Sequence, residues 1–201
     1  IVFGDWSSDV CSSDLVACGW LSACAPEAAA ALAAVEYIGV LCEALLLKRS
    51  LMPYYVLNLT DRGLPFTGVI EASNLAGREE FEGHAVVYLP RYRSAGSPDW
   101  GLSDEAVHAG NLAGLGRIFP DLDPADIVCW QVNRARNVQP IHHVGRGGSV
   151  PPVALAPGLA YLSTAQIHPW PVYNDEAVRN VESKVDAVLQ ALRIPDRQTC
   201  P

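Results

Sequence analysis

Several patterns that mark common kinds of site are missing from this sequence. No CxxC pair occurs, and no histidines stand beside the cysteines at the spacing of zinc ligands, so we expect no metal site. No GxSxG motif occurs, which excludes the usual nucleophile of an α/β-hydrolase. Lysine and arginine form no basic run and the net charge is −8, so nucleic acid is not an expected partner.

Long apolar runs are scarce as well. The run 28–47 alone has the length of a membrane helix, but Glu36 and Glu43 interrupt it, and each would be costly inside a bilayer. We therefore expect a buried helix and a buried strand there, and no integral membrane segment. The chain also begins without the basic and apolar regions of a signal peptide, and three of its six cysteines lie in or beside apolar stretches. Both features favour a cytoplasmic location with reduced thiols.

The sequence contains enough apolar residues to form a sizeable core, since 50% of its 201 residues are hydrophobic and 18% are charged. Apolar periodicity and capping residues predict helices over 26–35, 102–120 and 174–193, the second capped by Ser103. Strands are predicted over 37–48, 53–60, 66–73, 84–92, 126–141 and 159–167, and a loop over 145–158. This order, without βαβ alternation, predicts an α+β fold with a mostly antiparallel sheet and flanking helices.

Polar and aromatic side chains on neighbouring predicted strands are candidates for a substrate pocket. They are Tyr54, Tyr55, Asn58, Glu71, Tyr88 and Arg91, with Tyr92 beside them. On one face of a sheet such groups could line a cavity or form an amphipathic wall, and a strand glutamate is more often solvated. The segment "HHVGRGG" (142–148) is favoured as a surface turn, because the prolines after it prevent the helix that a phosphate loop needs.

The segment from Gly158 onward joins a strand to a helix through a proline-rich bend, with Asn174 as the expected N-cap. A helix N-terminus carries about half a positive charge and can stabilise an anion in front of it. Units of strand, turn and helix are common, so this pattern by itself favours a structural role.

Three segments resemble the C-terminal half of FAD-dependent oxidoreductases of the amine-oxidase type, the relatives of protoporphyrinogen oxidase, the phytoene desaturases and UDP-galactopyranose mutase. They are "NLTDRGLPFTGVIE" (58–71), "YLPRY" (88–92) and "GLAYLSTAQIHP" (158–169). The resemblance covers about 37–192. It implies a substrate domain over 16–157, a flavin-contacting strand and helix over 158–193, and a tail over 194–201.

The resemblance also implies FAD as the cofactor, with hydride transfer from a C–N or C–C bond of a small-molecule substrate to N5 of the flavin. The flavin contacts that it implies are Gln166, Ile167, Asn174, Asp175 and Ala177. Where family members carry an Asp-Arg-Gly-Thr core, this chain reads "HPWPVYNDEA" (168–177) and retains only Pro169 and Ala177 of the pattern. Altered binding of FAD is the expected consequence.

The unit that holds the ADP half of FAD is missing, since no GxGxxG motif follows a strand in these 201 residues. The segment "DWSSDVCSSDL" (5–15), in which seven of eleven residues are Ser or Asp, matches the translation of a common sequencing adapter residue for residue. We expect residues 1–15 to be non-native and the N-terminal Rossmann half to be absent. Such a fragment would be inactive, largely flavin-free, and prone to self-association through the apolar face that the missing half covers.

Two other interpretations stay open. Arg91, Arg134 or Arg136 holding a nucleotide-sugar phosphate would indicate a flavoenzyme similar to UDP-galactopyranose mutase. A chain with its own start codon near residue 16 would instead be a non-enzymatic α+β binding module. The sequence names neither a catalytic residue nor a substrate.

Overall fold

A computed structural model describes residues 17–144, 152–156, 158–167 and 173–192. The chain divides into two structural units. Among the described residues, 38–136 form the first, and 17–37 together with those after 136 form the second. The predicted segments 1–15 and 194–201 and the glycines of 145–148 lie outside the described residues. The predicted division between 16–157 and 158–193 stays a prediction, because it follows expected cofactor contacts and not the packing of the chain.

The first unit is built on a five-stranded sheet of order β2-β3-β4-β1-β5. The strands are β1 (Tyr37–Leu47), β2 (Val56–Asn58), β3 (Gly68–Glu71), β4 (Ala85–Arg93) and β5 (Ile127–Pro140). Strands β2, β3, β4 and β1 pair antiparallel in turn. Strand β5 also runs antiparallel to β1, because the N–H of Lys48 donates to the C=O of Asp126 while the N–H of Ile141 donates to that of Glu36. The α+β prediction with a mostly antiparallel sheet is confirmed.

One face of the sheet is covered by a helix. Helices α1 (Pro26–Ala33), α2 (Ser73–Ala76) and α3 (Asp104–Ile118) precede β5, and α3 packs on the sheet through Val107 and Leu115. Helix α3 approaches the core residue Phe66 closely at Gly114, where an added Cβ would lie 2.9 Å from the Phe66 ring. The covered face carries the alternate residues of β1 and β4, namely Leu41, Glu43, Leu45, Leu47, Ala85, Val87, Leu89 and Arg91. We call this the helix-covered face.

The second unit packs around α1. Its core holds Leu21, Ala28 and Leu32, against which Leu155 and Tyr161 are partly buried. Strands β6 (Ala154–Ala156) and β7 (Leu159–Ala160) form a two-stranded sheet, and helix α4 (Asn174–Leu192) completes the described part of this unit. In the part of the chain that the structure describes, we find no helix with the length and apolar character needed to span a membrane.

The local predictions hold best for long elements. Helix α3 begins where Ser103 was expected to cap it, and the Ser103 hydroxyl accepts a hydrogen bond from the N–H of Ala106 at 3.2 Å. Strand β2 is only three residues long, much shorter than the predicted 53–60. The strand predicted over 159–167 is wrong beyond Ala160, because Ser163 caps a 3₁₀ turn at Thr164–Gln166 instead. Strand β6 falls inside the predicted loop 145–158.

Candidate functional site

The six predicted pocket residues do not form one cluster. Ile70 pairs with Tyr88, so the neighbouring Glu71 points to the helix-covered face, as does Arg91, which pairs with Leu41. Tyr88 and Asn58 belong to the opposite face. Tyr54 and Tyr55 precede β2 and are exposed. The proposed pocket role of all six stays a prediction, and the structure divides the four that lie on strands between two faces of the sheet.

The opposite face of the sheet is defined by Val56, Asn58, Ile70, Tyr88, Cys42 and Ala44. Val56, Ile70, Tyr88 and Ala44 form one row across four strands, so the face is mainly apolar with a phenol at its centre. Asn58 adds an amide at the β2 edge, and Tyr92 is 41% exposed at the far end of β4. Ala44 is 1% exposed, so the accessible part of this face runs from Val56 to Tyr88, and that part can hold a flat apolar molecule and offer it a few polar contacts.

Burial keeps the ionisable groups of this opposite face neutral. Burial raises the pKa of the Cys42 thiol to about 11, with the nearby charge of Glu43 adding to the rise. The pKa of Tyr88 is also raised, mainly by burial and secondarily by Cys42. At neutral pH the phenol therefore keeps its proton and can donate a hydrogen bond.

Glu71 organises the chain between β1 and β2. Its side chain is fully buried, and its Oε2 accepts hydrogen bonds from the N–H groups of Leu51 at 3.0 Å and Met52 at 3.3 Å. Asn74 supports the same stretch, since its amide donates to the C=O of Met52 and of Tyr54, each at 2.8 Å. Glu71 thus fixes the path of the segment that carries Tyr54 and Tyr55.

A buried polar network, which no sequence pattern predicted, lies between the sheet and α3. Glu43 on β1 is 1% exposed. Its Oε2 accepts a hydrogen bond from the Asn111 amide at 2.7 Å, and its Oε1 lies against Nδ1 of His108. Asn111 in turn accepts from Nη2 of Arg91 at 2.7 Å. The available signal was a carboxylate inside an apolar strand together with His and Asn three residues apart on one helix.

The outer part of this network joins aromatic and charged groups. The His108 ring stacks on Trp130, with 4.3 Å between ring centroids and 6° between planes. Arg91 lies 3.5 Å from Asp99, and burial lowers the pKa of Arg91 while Asp99 counteracts the shift. Asp99 also accepts from Nε of Arg93 at 2.6 Å. The network satisfies most of the buried charge and ties α3 to β1 and β4.

The three arginines considered as phosphate ligands differ in availability. Arg91 is 5% exposed and engaged with Asn111 and Asp99. Arg134 pairs with Asp104 and donates to the C=O of Leu102 at 2.7 Å. Arg136 is exposed and lies over the ring of Trp100, 4.9 Å from its centroid. The structure therefore does not assemble these arginines into one anion site.

Gln166 and Ile167, two of the expected flavin contacts, are packed within the second unit. Both are 4% exposed. The side-chain oxygen of Gln166 accepts from the N–H of Ser163 at 3.0 Å, and its amide donates to the C=O of Tyr161 at 3.1 Å. Nζ of Lys184 donates to the backbone C=O of Gln166 at 3.1 Å, and burial lowers the pKa of this lysine. The side chain of Gln166 is thus committed to holding this turn.

The other three expected contacts stand at the start of α4. The helix begins at Asn174, and the N–H of Ala177 donates to the C=O of Tyr173 at 2.9 Å, so Tyr173 occupies the cap position predicted for Asn174. The N–H groups of Asn174, Asp175 and Glu176 precede the first helical hydrogen bond and can face an anion. The carboxylates of Asp175 and Glu176 make the helix start less favourable for an anion, although that of Glu176 pairs with Arg179 at 2.5 Å. Any flavin contact here stays a prediction.

Comparison with known proteins gives a similarity of fold. No family model and no curated protein matches the chain. Among solved structures, a protein from Exiguobacterium sp. 255-15 provisionally assigned as a protoporphyrinogen oxidase matches 85% of this chain and 39% of its own, at 14% identity and a TM-score of 0.60. An oxidoreductase from Methanosarcina mazei matches 78% of this chain and 36% of its own, at 16% identity and a TM-score of 0.54.

A reduced UDP-galactopyranose mutase also matches, over 60% of this chain and 26% of its own at 18% identity, but its TM-score of 0.49 is too low to support a conclusion. The chain therefore spans less than two-fifths of the length of each of these proteins. At these identities the similarity shows the fold alone. The chain has the α+β fold of part of an oxidoreductase and of part of the Exiguobacterium protein.

Proposed function

We propose that this chain is the substrate-side part of a flavin-dependent oxidoreductase that oxidises a C–N or C–C single bond of a small molecule to a double bond, the carbon giving a hydride to the flavin and the second hydrogen leaving as a proton. The observation that carries the proposal is the fold similarity over 85% of the chain to the protein assigned as a protoporphyrinogen oxidase. The segments 58–71, 88–92 and 158–169 support it independently through their resemblance to flavoenzymes of the amine-oxidase type. The activity belongs to the complete enzyme, of which this chain supplies the substrate wall.

In this proposal the opposite face of the sheet is the wall that receives the substrate. Its apolar row through Ile70 and Tyr88 would pack against a flat substrate and exclude water from it. The neutral phenol of Tyr88 and the amide of Asn58 would orient the substrate by hydrogen bonds. Glu71 contributes indirectly, because it holds the backbone that leads to Tyr54 and Tyr55.

FAD, when bound, supplies the ring atom that accepts the hydride. In this chain the N-terminus of α4 would lie at the pyrimidine edge of the flavin, with Asn174 and Ala177 as its contacts. The unbonded amides of the first helical turn favour negative charge there. The carboxylate of Asp175 acts against it, so the chain binds the flavin ring less firmly than the helix alone would.

Toward the ring end of FAD this chain offers the free amides at the start of α4, but it has no residues that fit the ADP end. A pyrophosphate needs a glycine-rich turn whose amides open a helix, and the sequence contains no GxGxxG. The helices of the first unit do not supply one, since α3 begins at a serine cap whose side chain already occupies the amide of Ala106. We therefore propose that a dinucleotide-binding unit outside these 201 residues holds the ADP half.

The apolar side of α4 supports this division of the enzyme. None of its residues is buried, and Val181, Val185 and Leu189, spaced four residues apart, form an apolar stripe whose members are 50%, 43% and 55% exposed. Exposed stripes of this size mark a surface that packs against something else. In the proposed enzyme the dinucleotide-binding unit covers it, and the isolated chain self-associates through it.

The oxidoreductase is better supported than the two alternatives. A mutase-like enzyme would need a group of arginines for a nucleotide-sugar phosphate, and Arg91 and Arg134 are already paired with Asp99 and Asp104. A binding module without flavin would leave the resemblance of 158–169 unexplained. Neither alternative has an observation of its own in its favour.

The test is to sequence the source DNA upstream of the Val16 codon and express the continuous reading frame. We expect a strand–GxGxxG–helix unit upstream, and a purified protein with flavin absorbance that bleaches when an amine or a saturated substrate is added without oxygen. The 201-residue chain is the matched control and should bind added FAD weakly. A reading frame that starts near residue 16 and yields a colourless protein would contradict the flavoenzyme and favour the binding module.

A further inference from the structure

Strand β5 (Ile127–Pro140) is the edge of the five-stranded sheet and is hydrogen-bonded on one side, to β1. The C=O of Asp126 accepts from Lys48 of the β1 side at 2.9 Å. The N–H of Ile127 belongs to the same trans peptide and therefore points away from β1, and alternation from this residue directs the backbone groups of Cys129 and Gln131 outward as well. No other described strand forms backbone hydrogen bonds with this outer side of β5. A bare edge of this kind is a template for another strand.

The first half of β5 carries none of the usual protection against such pairing. Residues 127–132 read "IVCWQV", without charge, proline or glycine. Val128 is 46% exposed and Cys129 is exposed, so the edge is accessible. Charge begins only in the second half of the strand, at Arg134 and Arg136.

The charges at the two ends indicate what pairs with this edge. Arg134 and Arg136 follow Cys129, and the turn before the strand carries Asp121, Asp123 and Asp126. If two copies pair antiparallel about a two-fold axis at Cys129, the arginines of each lie beside the acidic turn of the other. Among the described residues Arg136 has no carboxylate partner. The carboxylate of Asp121 closes no ion pair there, although its charge acts on the neighbouring Arg49, so it can accept a second cation.

We infer that the outer edge of β5 is a homodimer interface, in which residues 127–132 of two copies extend the sheet into one continuous ten-stranded sheet. The two copies exchange backbone hydrogen bonds at Cys129, and Arg136 of each pairs with the acidic turn of the other. This interface lies on the first unit and does not depend on flavin binding. It is also distinct from association through the apolar stripe of α4.

The test is analytical ultracentrifugation over a wide dilution series of the purified chain carrying Val185→Lys, which removes association through the apolar stripe of α4, with and without Cys129→Pro. Proline at this position removes an outward N–H that makes no bond among the described residues, so the fold should be retained, which circular dichroism and thermal unfolding would check. We expect the Val185→Lys chain to dimerise and the added Cys129→Pro to raise the dissociation constant at least about tenfold. A Val185→Lys chain that stays monomeric at every concentration, or one that dimerises equally well with Cys129→Pro added, overturns the inference.

Two further variants separate this interface from other contacts. Arg136→Glu should weaken the dimer, and adding Asp121→Arg should restore it, because the exchanged charges again meet across the axis. Both are made in the Val185→Lys chain, in which association through α4 is removed and the β5 dimer should remain. No rescue by the charge exchange would show that the copies meet elsewhere.

Discussion

The amide of Asn111 donates a hydrogen bond of 2.7 Å to Oε2 of Glu43, a residue 68 positions earlier in the chain and 1% exposed. The same amide group accepts from Arg91, so a single side chain connects a buried carboxylate with a buried guanidinium. Both side chains have lost most of their water, so each needs a hydrogen-bonding partner inside the protein. Asn111 supplies one to each of them and ties α3 to β1 and β4.

Replacement of Asn111 by alanine should lower the free energy of unfolding by about 3 kcal/mol, because it leaves both Glu43 and Arg91 short of a buried partner. Urea denaturation followed by circular dichroism measures this. Ala109→Ser, at an exposed position of the same helix, is the control and should change the free energy by less than about 0.5 kcal/mol. Equal effects of the two substitutions would mean that the network contributes nothing beyond helix formation.

Two glycines of α3 should respond oppositely to alanine. A Cβ on Gly114 would lie 2.9 Å from both Phe66 and Pro65, whereas one on Gly116 would have no atom within 4 Å. Gly116→Ala should stabilise the protein by up to about 1 kcal/mol through helix propensity. Gly114→Ala gains the same propensity but should be destabilising by about 1–2 kcal/mol through overpacking. Thermal unfolding of both variants checks this, and two melting temperatures that rise together would show that α3 does not pack closely on Phe66.

The stability of the chain should fall in alkali through Cys42. Burial raises the pKa of this thiol from 9.0 to about 11 in the folded protein. Because the pKa is raised on folding, the buried neutral thiol contributes its full share to the free energy of unfolding below pH 9. This contribution is lost as the pH rises towards 11, since the unfolded chain releases the proton first. Between these pH values the wild type should lose about 2–3 kcal/mol more than Cys42→Ala. Denaturant curves of both proteins at pH 9 and pH 11 give the comparison. Equal losses of unfolding free energy in wild type and Cys42→Ala would show that the Cys42 thiol is exposed to solvent.

In the complete flavoenzyme, Tyr88→Phe should raise the KM of the substrate about three- to tenfold, because it removes one hydrogen bond worth about 0.5–1.5 kcal/mol while retaining the ring. The flavin content should stay unchanged, since Tyr88 belongs to the sheet and the expected flavin contacts lie in 166–177. Steady-state kinetics and the flavin absorbance of the same preparation measure both quantities. A loss of flavin with unchanged KM would reverse the assignment of this face.

Much of the fold follows from local sequence. Helix α3 is encoded by its serine cap and its acidic first turn, and the structure reproduces both. Its apolar spacing was a poorer guide, because the buried face consists of Val107, Asn111, Gly114 and Leu115 while Ala106 is exposed. Strand β1 follows from an apolar run with β-branched and aromatic residues, although periodicity alone allowed a helix there. The short strand β2 and the capped turn at Thr164–Gln166 were predicted too long, because the segments have strand-like composition while their hydrogen bonds are decided by neighbours distant in sequence.

The candidate site was less accessible to prediction. Alternation along a strand places Tyr88 and Arg91 on different faces, yet it gives no indication of which face a helix will cover. Glu43 was visible only as an interruption of an apolar run, and its partners His108 and Asn111 lie on a helix more than sixty residues later.

The sequence by itself determined the class of the fold, the positions of the long helices and strands, and a resemblance to flavoenzymes, because periodicity, capping and motifs are local properties of the chain. Only the tertiary structure decided that Glu71 and Arg91 are buried on the helix-covered face, that Tyr88 lies on the opposite face, and that β5 is an edge strand of the sheet. These depend on strand order and register, which are set by packing between segments that meet only when the whole sheet has formed.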